Sequence, residues 1–309
     1  MRMLSSPSLP SIRQSLVMML LILMPFCLQA QDGSTSEEDS WNHLFWKIEG
    51  QGLKNASYLY GTIHVIPKDS FYLDKSVTRL FKKADKIVME IDPSEMQSGG
   101  LGALVNSFRG MLMPKDTSLQ SLIGDQAFLS LQRFMKDSID TPFPLYQRMR
   151  PIYISQYIST EYCTEEELDS YEIRFMEMAE DKGIPIIGLE TATEQADVLN
   201  SISLTEQAEM LTDVLSNPQK SCEQMEEMVS LYRRQDLIGL SELIGEADEF
   251  SERMDNALLR DRNQNWIPKL ADWMNEESLF IAVGAGHLIG PDGLIVLLRN
   301  MGYTVSPVI

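Results

Sequence analysis

The chain has 309 residues, of which 44% are hydrophobic, so it is long enough and apolar enough to bury the core of one large domain. Acidic residues outnumber basic ones by 45 to 26, which gives a formal charge of −19 at pH 7. Such a surface repels phosphates, because phosphate binding needs clustered lysine and arginine. Nucleic acid and anionic lipid are therefore excluded as expected partners.

Residues 1–30 are predicted to be a signal peptide. Arg2 and Arg13 precede the apolar run LVMMLLILM, which is short for a membrane span and has the length of a signal-peptide core. Cleavage after Ala30 would remove two arginines and no acid, so the formal charge would move from −19 to −21. An uncleaved N-terminal anchor is the alternative. No later segment is long and apolar enough to cross a membrane, so we expect a periplasmic or secreted mature protein that does not span one.

The first elements form a strand–helix–strand pattern. Residues 44–49 fit an edge strand, and residues 58–64 are rich in aromatic and β-branched side chains, as expected of a strong strand. A helix is predicted from an Asp74 cap to about residue 84, followed by the buried strand KIVMEID at 86–92. This spacing predicts a βαβ unit, with the strands at 58–64 and 86–92 parallel and adjacent.

Two long helical stretches follow, at about residues 100–182 and 204–275, where apolar residues recur every three or four positions. The remaining predicted elements are strands at 184–189, 279–283 and 303–308 and a helix at 291–301. We therefore predict an α/β fold over residues 31–309. It is a single domain with a central, mostly parallel sheet and helical insertions that form a cap.

Signal-peptide cleavage would also remove Cys27 and leave Cys163 and Cys222. An even number of cysteines in an exported chain permits one disulfide, and two unpaired thiols are the alternative.

Four titratable residues lie at or near the ends of the strong strands: His64, Glu90, Glu190 and His287. Glycine precedes each of the two histidines by three positions, as Gly61 and Gly284. Ligands of open α/β sheets bind beyond the carboxyl ends of the strands, so the four side chains are expected to meet in one cleft. Two imidazoles and one or two carboxylates suit a divalent metal ion, or an acid–base cluster without one. The alternative is that the histidines are hydrogen-bonded structural residues and that the glutamates cap helices or pair with an arginine.

Arg262 is a further candidate, in a helical stretch that leads to the last long strand. Its guanidinium would hold a carboxylate or stabilise negative charge in a transition state, with Asn263 orienting it. The alternative is a surface arginine paired with Asp261, which spacing alone favours. His43 lacks any such context and is expected to be structural or exposed.

The segments GTIH, VMEID, GLET, RN and VGAGH resemble the TraB/PrgY/GumN family, which includes the Tiki metalloproteases, over about residues 43–309. That family is similar to the erythromycin-esterase-like and haem-binding ChaN-like proteins, which implies an α/β fold with helical insertions. The resemblance implies that His64, Glu90, Glu190, Arg262 and His287 are the functional positions, with manganese or cobalt as the metal. One departure is a missing glycine where the family often carries Gly-Leu-Asp. Asp169 keeps the acid of that motif.

The leading hypothesis is an exported, metal-dependent hydrolase that acts on a peptide or protein. His64 and His287, with Glu90 or Glu190, would bind manganese, cobalt or zinc. The other glutamate would activate water, and Arg262 would stabilise the oxyanion. Two alternatives stay open: a protein of the same fold that binds a peptide or haem without turnover, and a metal-independent, esterase-like hydrolase.

Overall fold

The computed structural model describes residues 41–92, 108–140, 146–164, 167–244 and 256–309. The predicted signal peptide and the start of the first helical stretch lie outside these residues. Within them, no helix is long and apolar enough to cross a membrane. The fold is α/β: a six-stranded, mostly parallel sheet with helices inserted between its strands, as predicted.

The six strands of this sheet are arranged in the order β6-β4-β7-β2-β1-β8. The strands β3 and β5 form a separate two-stranded ladder. Neighbours from β6 to β2 are parallel, and β1 pairs in antiparallel fashion with both β2 and β8. The strands are β1 Phe45–Glu49, β2 Ser57–Thr62, β3 Ile66–Pro67, β4 Lys86–Ile91, β5 Leu168–Asp169, β6 Ile186–Glu190, β7 Leu279–Gly284 and β8 Thr304–Pro307.

Two details of the predicted sheet are wrong. β2 and β4 are parallel but not adjacent, because β7 from the far end of the chain lies between them and pairs with both. β1 is not an edge strand, because β8 pairs with its free side. The hydrophobic pattern of a strand indicates its burial and direction, but it does not identify the strand beside it.

β7 occupies the middle of the sheet because both of its faces are covered. All six of its residues are buried, as expected for a continuous apolar run in a parallel strand. The ring of Phe280 packs against four other aromatic rings, with centroids 5.0–6.2 Å away: those of Phe45, Tyr60, Phe81 and Phe175. This packing fixes the central position of the strand whose carboxyl end leads to His287.

Ten α-helices of seven or more residues lie in the described part of the chain. They are α1 Lys75–Phe81, α2 Leu119–Asp137, α3 Pro151–Cys163, α4 Tyr171–Lys182, α5 Ala192–Ser201, α6 Leu204–Ser216, α7 Pro218–Arg233, α8 Leu237–Ile244, α9 Asp261–Glu276 and α10 Leu294–Asn300. The predicted cap of α1 is confirmed, since the Asp74 side chain accepts a hydrogen bond from the backbone N–H of Ser76.

Part of the helical sequence builds a second apolar cluster, separate from the core around the sheet. Buried side chains of α2, α3, α5 and α6 pack together there, including Leu131, Ile154 and Leu211. A disulfide between Cys163 and Cys222 joins α3 to α7, so the structure contains the bridge that the sequence permits.

Candidate active site

The two predicted histidine turns meet because β2 and β7 are neighbours, with Thr62 opposite Gly284. Gly61 makes this contact close. A Cβ atom at Gly61 would lie 3.1 Å from the Cα of Ala285 and 3.0 Å from a methyl carbon of Leu288. Gly61 therefore lets the turn Ala285–His287 pack directly against the end of β2.

Gly284 has a different role, because the absence of its side chain leaves a space among titratable groups. A Cβ atom there would lie 3.3 Å from Glu90 Oε1, 3.5 Å from His64 Nε2 and 3.7 Å from His287 Cδ2. We call the region between these three side chains, on the side of Gly284 that lacks a Cβ atom, the Gly284 space. Glu90 Oε1 also accepts the backbone N–H of Gly284 at 2.8 Å, which fixes the carboxylate at the edge of the space. The structure thus brings both predicted histidines and Glu90 to one point.

Arg262 connects this point to Glu190. Its side chain is buried, and its guanidinium contacts Glu90, Glu190 and His287. The alternative of a surface pair with Asp261 is wrong for Arg262, because Asp261 contacts Arg260 instead. The local sequence pattern does not predict that Arg262 is buried across the strand ends.

All five N–H groups of the Arg262 guanidinium have acceptors. Nε donates to Glu190 Oε1 and Oε2 at 3.1 and 3.2 Å, and Nη2 donates to Glu90 Oε2 at 2.5 Å and Glu190 Oε1 at 2.6 Å. Nη1 donates to the carbonyl of Leu258 at 2.9 Å and to His287 Nε2 at 3.0 Å. No N–H group is left for a ligand, so this geometry does not support the predicted oxyanion contact. Arg262 instead holds the other residues of the site in place.

His287 is held as a neutral imidazole. Its Nε2 accepts from Arg262, and its Nδ1 lies 2.7 Å from Asn263 Oδ1, which requires a proton on Nδ1. Burial and the neighbouring guanidinium lower the pKa of His287 to about 3. The expectation that Asn263 orients Arg262 is wrong. Asn263 orients His287 instead, also donating its amide to the His287 carbonyl at 3.1 Å.

His64 has a different partner, which the sequence pattern does not reveal. Its Nδ1 lies 2.9 Å from Oε1 of Glu172, a buried carboxylate near the start of α4. The His64 side chain is 16% exposed, against 4% for His287, so the site is more open to solvent on the side of His64. In the sequence, the one local indication of Glu172 is that it is an acid at the second position of a helix whose aromatic side chains are buried. The nearby Asp169 pairs with Arg174.

The two strand-end carboxylates differ in their electrostatics. Burial raises the pKa of Glu90, but Arg262 and both histidines outweigh it and lower this pKa well below its ordinary value. At Glu190 the effect of burial is larger than that of the Arg262 guanidinium, so the pKa of Glu190 is raised. Gln195, which has no motif to mark it in the sequence, donates to both carboxylates, at 3.2 and 3.1 Å. Glu90 is thus the carboxylate that stays ionised beside the Gly284 space.

A resident divalent ion would need several lone pairs that point to a common centre. His287 Nε2, Glu90 Oε2 and both oxygens of Glu190 already accept N–H groups from Arg262. The donors that still face the Gly284 space are His64 Nε2 and Glu90 Oε1.

Two donors are too few for a resident ion, and the guanidinium charge opposes another cation beside it. Within the described ranges, no group of three or more His, Cys, Asp and Glu side chains is arranged to hold a metal ion. The predicted ligand set of His64, His287, Glu90 and Glu190 therefore does not fit a metal in this arrangement, and its members' role as ligands stays a prediction.

A mostly parallel sheet with helical insertions, and a buried histidine–glutamate–arginine cluster at its strand ends, define an α/β protein with a candidate acid–base site. The chain belongs to the TraB/PrgY/gumN family, whose model matches residues 44–307. The family that the sequence motifs resemble is thus confirmed.

Three curated relatives match the chain at low identity. Metalloprotease TIKI2 of Danio rerio is 20% identical, over 89% of this chain and 62% of the relative. The Metalloprotease TIKI homolog of Amphimedon queenslandica is 21% identical, over 93% and 66%. The uncharacterized protein YbaP of Shigella flexneri is 24% identical, over 84% and 94%. The chain spans less than two thirds of the length of the two Tiki relatives. No solved structure matches the chain significantly.

Proposed function

We propose that this protein is a hydrolase that cleaves an acyl bond, in a peptide or an ester, with His64 as its general base. The observation that carries the proposal is the Gly284 space. There the acceptor nitrogen of His64 and the ionised oxygen of Glu90 both face the side of Gly284 that lacks a Cβ atom. Water bound between these two atoms has one group to take its proton and one to orient it.

The reaction follows from these contacts. A water molecule in the Gly284 space donates one hydrogen to His64 Nε2 and the other to Glu90 Oε1. As the water oxygen attacks the substrate carbonyl carbon, His64 takes the first proton. The resulting imidazolium then gives this proton to the departing amine or alcohol, and the acyl bond breaks to release the acid. Arg262 and the backbone N–H of Gly284 hold Glu90 in place, and the guanidinium keeps it ionised throughout.

A metal-dependent peptidase is the second candidate, because the two Tiki relatives are named metalloproteases. Manganese, cobalt or zinc would have to bind at a site whose oxygen and nitrogen ligand atoms already accept hydrogen bonds from Arg262. A third outcome is a protein that binds a peptide or haem without turnover. We place the protein outside the cytoplasm, in the periplasm or secreted. The disulfide between Cys163 and Cys222 and the N-terminal sequence support this location.

The test compares wild type with Gly284→Ala and His64→Ala on a peptide library and a panel of p-nitrophenyl esters. The backbone at Gly284, φ −52° and ψ 138°, suits alanine, and the nearest contact of the new methyl group is the 3.3 Å to Glu90. The fold should therefore persist while the methyl group displaces the water. We expect each variant to lose roughly 10²-fold or more in kcat, as for loss of a general base.

His43→Ala is the matched control, because that histidine contacts none of the site residues described above and should leave the rate unchanged. Full activity in Gly284→Ala would refute the proposed position of the water. Activity that disappears with EDTA and returns with manganese, cobalt or zinc would favour the metal-dependent candidate. Saturable binding of peptide or haem without cleavage would favour the binding protein.

A further inference from the structure

Glu172 is a buried acid that contacts the proposed base directly. Its Oε1 lies 2.9 Å from His64 Nδ1 and accepts the hydroxyl of Thr62 at 2.5 Å. Its Oε2 accepts the hydroxyl of Ser170 at 2.9 Å. Three neighbours therefore fix both oxygens of a carboxylate that is only 5% exposed. A side chain held this firmly can in turn fix the imidazole beside it.

Short elements of the chain bring these two residues together. β3 begins two residues after His64, and β5 ends three residues before Glu172, and the two strands pair with each other. Ser170 then caps α4, accepting from the backbone N–H of Ile173 while it donates to Glu172. The small β3–β5 ladder thus serves to place a helix N-terminus and its acid against the histidine turn.

We propose that Glu172 is the positioning residue of the site, which keeps the proton of neutral His64 on Nδ1 so that the Nε2 lone pair faces the Gly284 space. The proposal rests on the proposed hydrolase function. Neutral histidine in water carries its proton mainly on Nε2, and in that form His64 could not accept a proton from water there. A carboxylate that accepts from Nδ1 reverses the preference and stabilises the imidazolium that forms during the reaction.

Asp169 is the competing acid, because it matches the acid of the family's Gly-Leu-Asp segment. Its carboxylate instead accepts from the guanidinium of Arg174 and from the backbone N–H of Ser170. Glu172, three positions later, is the acid that reaches His64.

The test reads the tautomer directly and needs no substrate. The chain has three histidines, His43, His64 and His287, so ¹⁵N spectra of histidine-labelled protein at pH 9 are simple to assign with His→Ala variants. In wild type, His64 should carry its proton on Nδ1. In Glu172→Leu, which removes the acceptor, the proton should move to Nε2, and in Glu172→Gln the Nδ1-bound share should fall. Asp169→Asn should match wild type.

An Nε2-protonated His64 in the wild type would overturn the proposal at once, even if neither Glu172 variant folds. An unchanged tautomer in a folded Glu172→Gln together with Glu172→Leu would also overturn it. If the panel reveals a substrate, Glu172→Gln should lower kcat by roughly 10-fold or more with KM little changed. The spectra do not depend on turnover. A protein that shows the expected tautomer but no hydrolase activity would therefore refute the proposed function and still support the role of Glu172 beside His64.

Discussion

The clearest energetic prediction concerns Arg262→Met, which removes the guanidinium and keeps most of the side-chain volume. Arg262 is buried between Glu90 and Glu190, and each of its five N–H groups donates a hydrogen bond. Without it, two carboxylates would face each other at low exposure with no positive charge between them. No opposite charge would then compensate for the burial of these carboxylates. Removing one partner of a buried ion pair is costly for this reason.

Breaking such a pair costs about 3–5 kcal/mol. At about 2–4 °C per kcal/mol for a chain of this size, the melting temperature should fall by roughly 6–20 °C. The loss should depend on pH. Burial without the guanidinium raises the pKa of Glu90 and Glu190, and groups with a raised folded-state pKa contribute less stability as pH rises. The deficit relative to wild type should therefore be largest near pH 7–8 and smaller near pH 5.

Denaturant unfolding at pH 5 and pH 7.5 provides the measurement, with Arg260→Met as the matched control. Arg260 is two positions away and pairs with Asp261 at the surface, so its loss should have little effect. Adding Glu190→Gln to Arg262→Met should recover part of the stability, because one buried charge is removed. A deficit below 1 kcal/mol, or one that grows toward pH 5, would refute this account of the cluster.

The same variant tests the metal question. Arg262→Met frees His287 Nε2 and oxygens of Glu90 and Glu190 that the guanidinium occupies in wild type. We expect manganese, cobalt or zinc to raise the melting temperature of the variant and not that of the wild type. A wild type that retains one divalent ion per chain after purification without chelator would contradict the conclusion that Arg262 leaves too few donors for a resident ion.

Two further predictions concern stability. Replacing Cys163 and Cys222 by alanine should cost about 4 kcal/mol, since the bridge spans a sequence separation of 59 residues, and denaturant unfolding would show it. Two free thiols in the mass spectrum of the unreduced protein would contradict the bridge itself. The second prediction concerns His287, whose pKa of about 3 in the fold lies below the ordinary 6.5. A depressed pKa contributes stability that is present above pH 6.5 and is lost as pH falls, here by about 2 kcal/mol between pH 7 and pH 5. His287→Gln should remove this part of the slope, and parallel curves for the variant and the wild type would refute the prediction.

Much of the candidate site can be predicted from local pattern. Each strong strand is an apolar run, and the titratable residue at or near its end marks the rim of the sheet. This rule is enough to locate His64, Glu90, Glu190 and His287 in the sequence. The glycine three positions before each histidine is visible there as well. The two glycines have different reasons: Gly61 allows close packing and Gly284 leaves room beside three side chains.

The partners of these residues cannot be predicted in this way. Glu172 lies 108 positions from His64 and Arg262 lies 172 positions from Glu90, so neither contact has a local signal. Asn263 stands out in the sequence, but adjacency suggests Arg262 as its partner, whereas the fold pairs it with His287. Hydrogen-bond partners across such separations depend on which helix packs over which strand end.

Local sequence pattern is enough to predict the fold class, the apolar strands, the strand-end residues and the family, because each follows from the character of a short segment. Long-range packing sets β7 between β2 and β4, which brings the turn from Gly284 to His287 beside both His64 and Glu90. It also decided that Arg262 is buried and fully hydrogen-bonded. Sheet order and the pairing of buried charges depend on how distant segments pack against one another, and the pattern within each segment does not specify that packing.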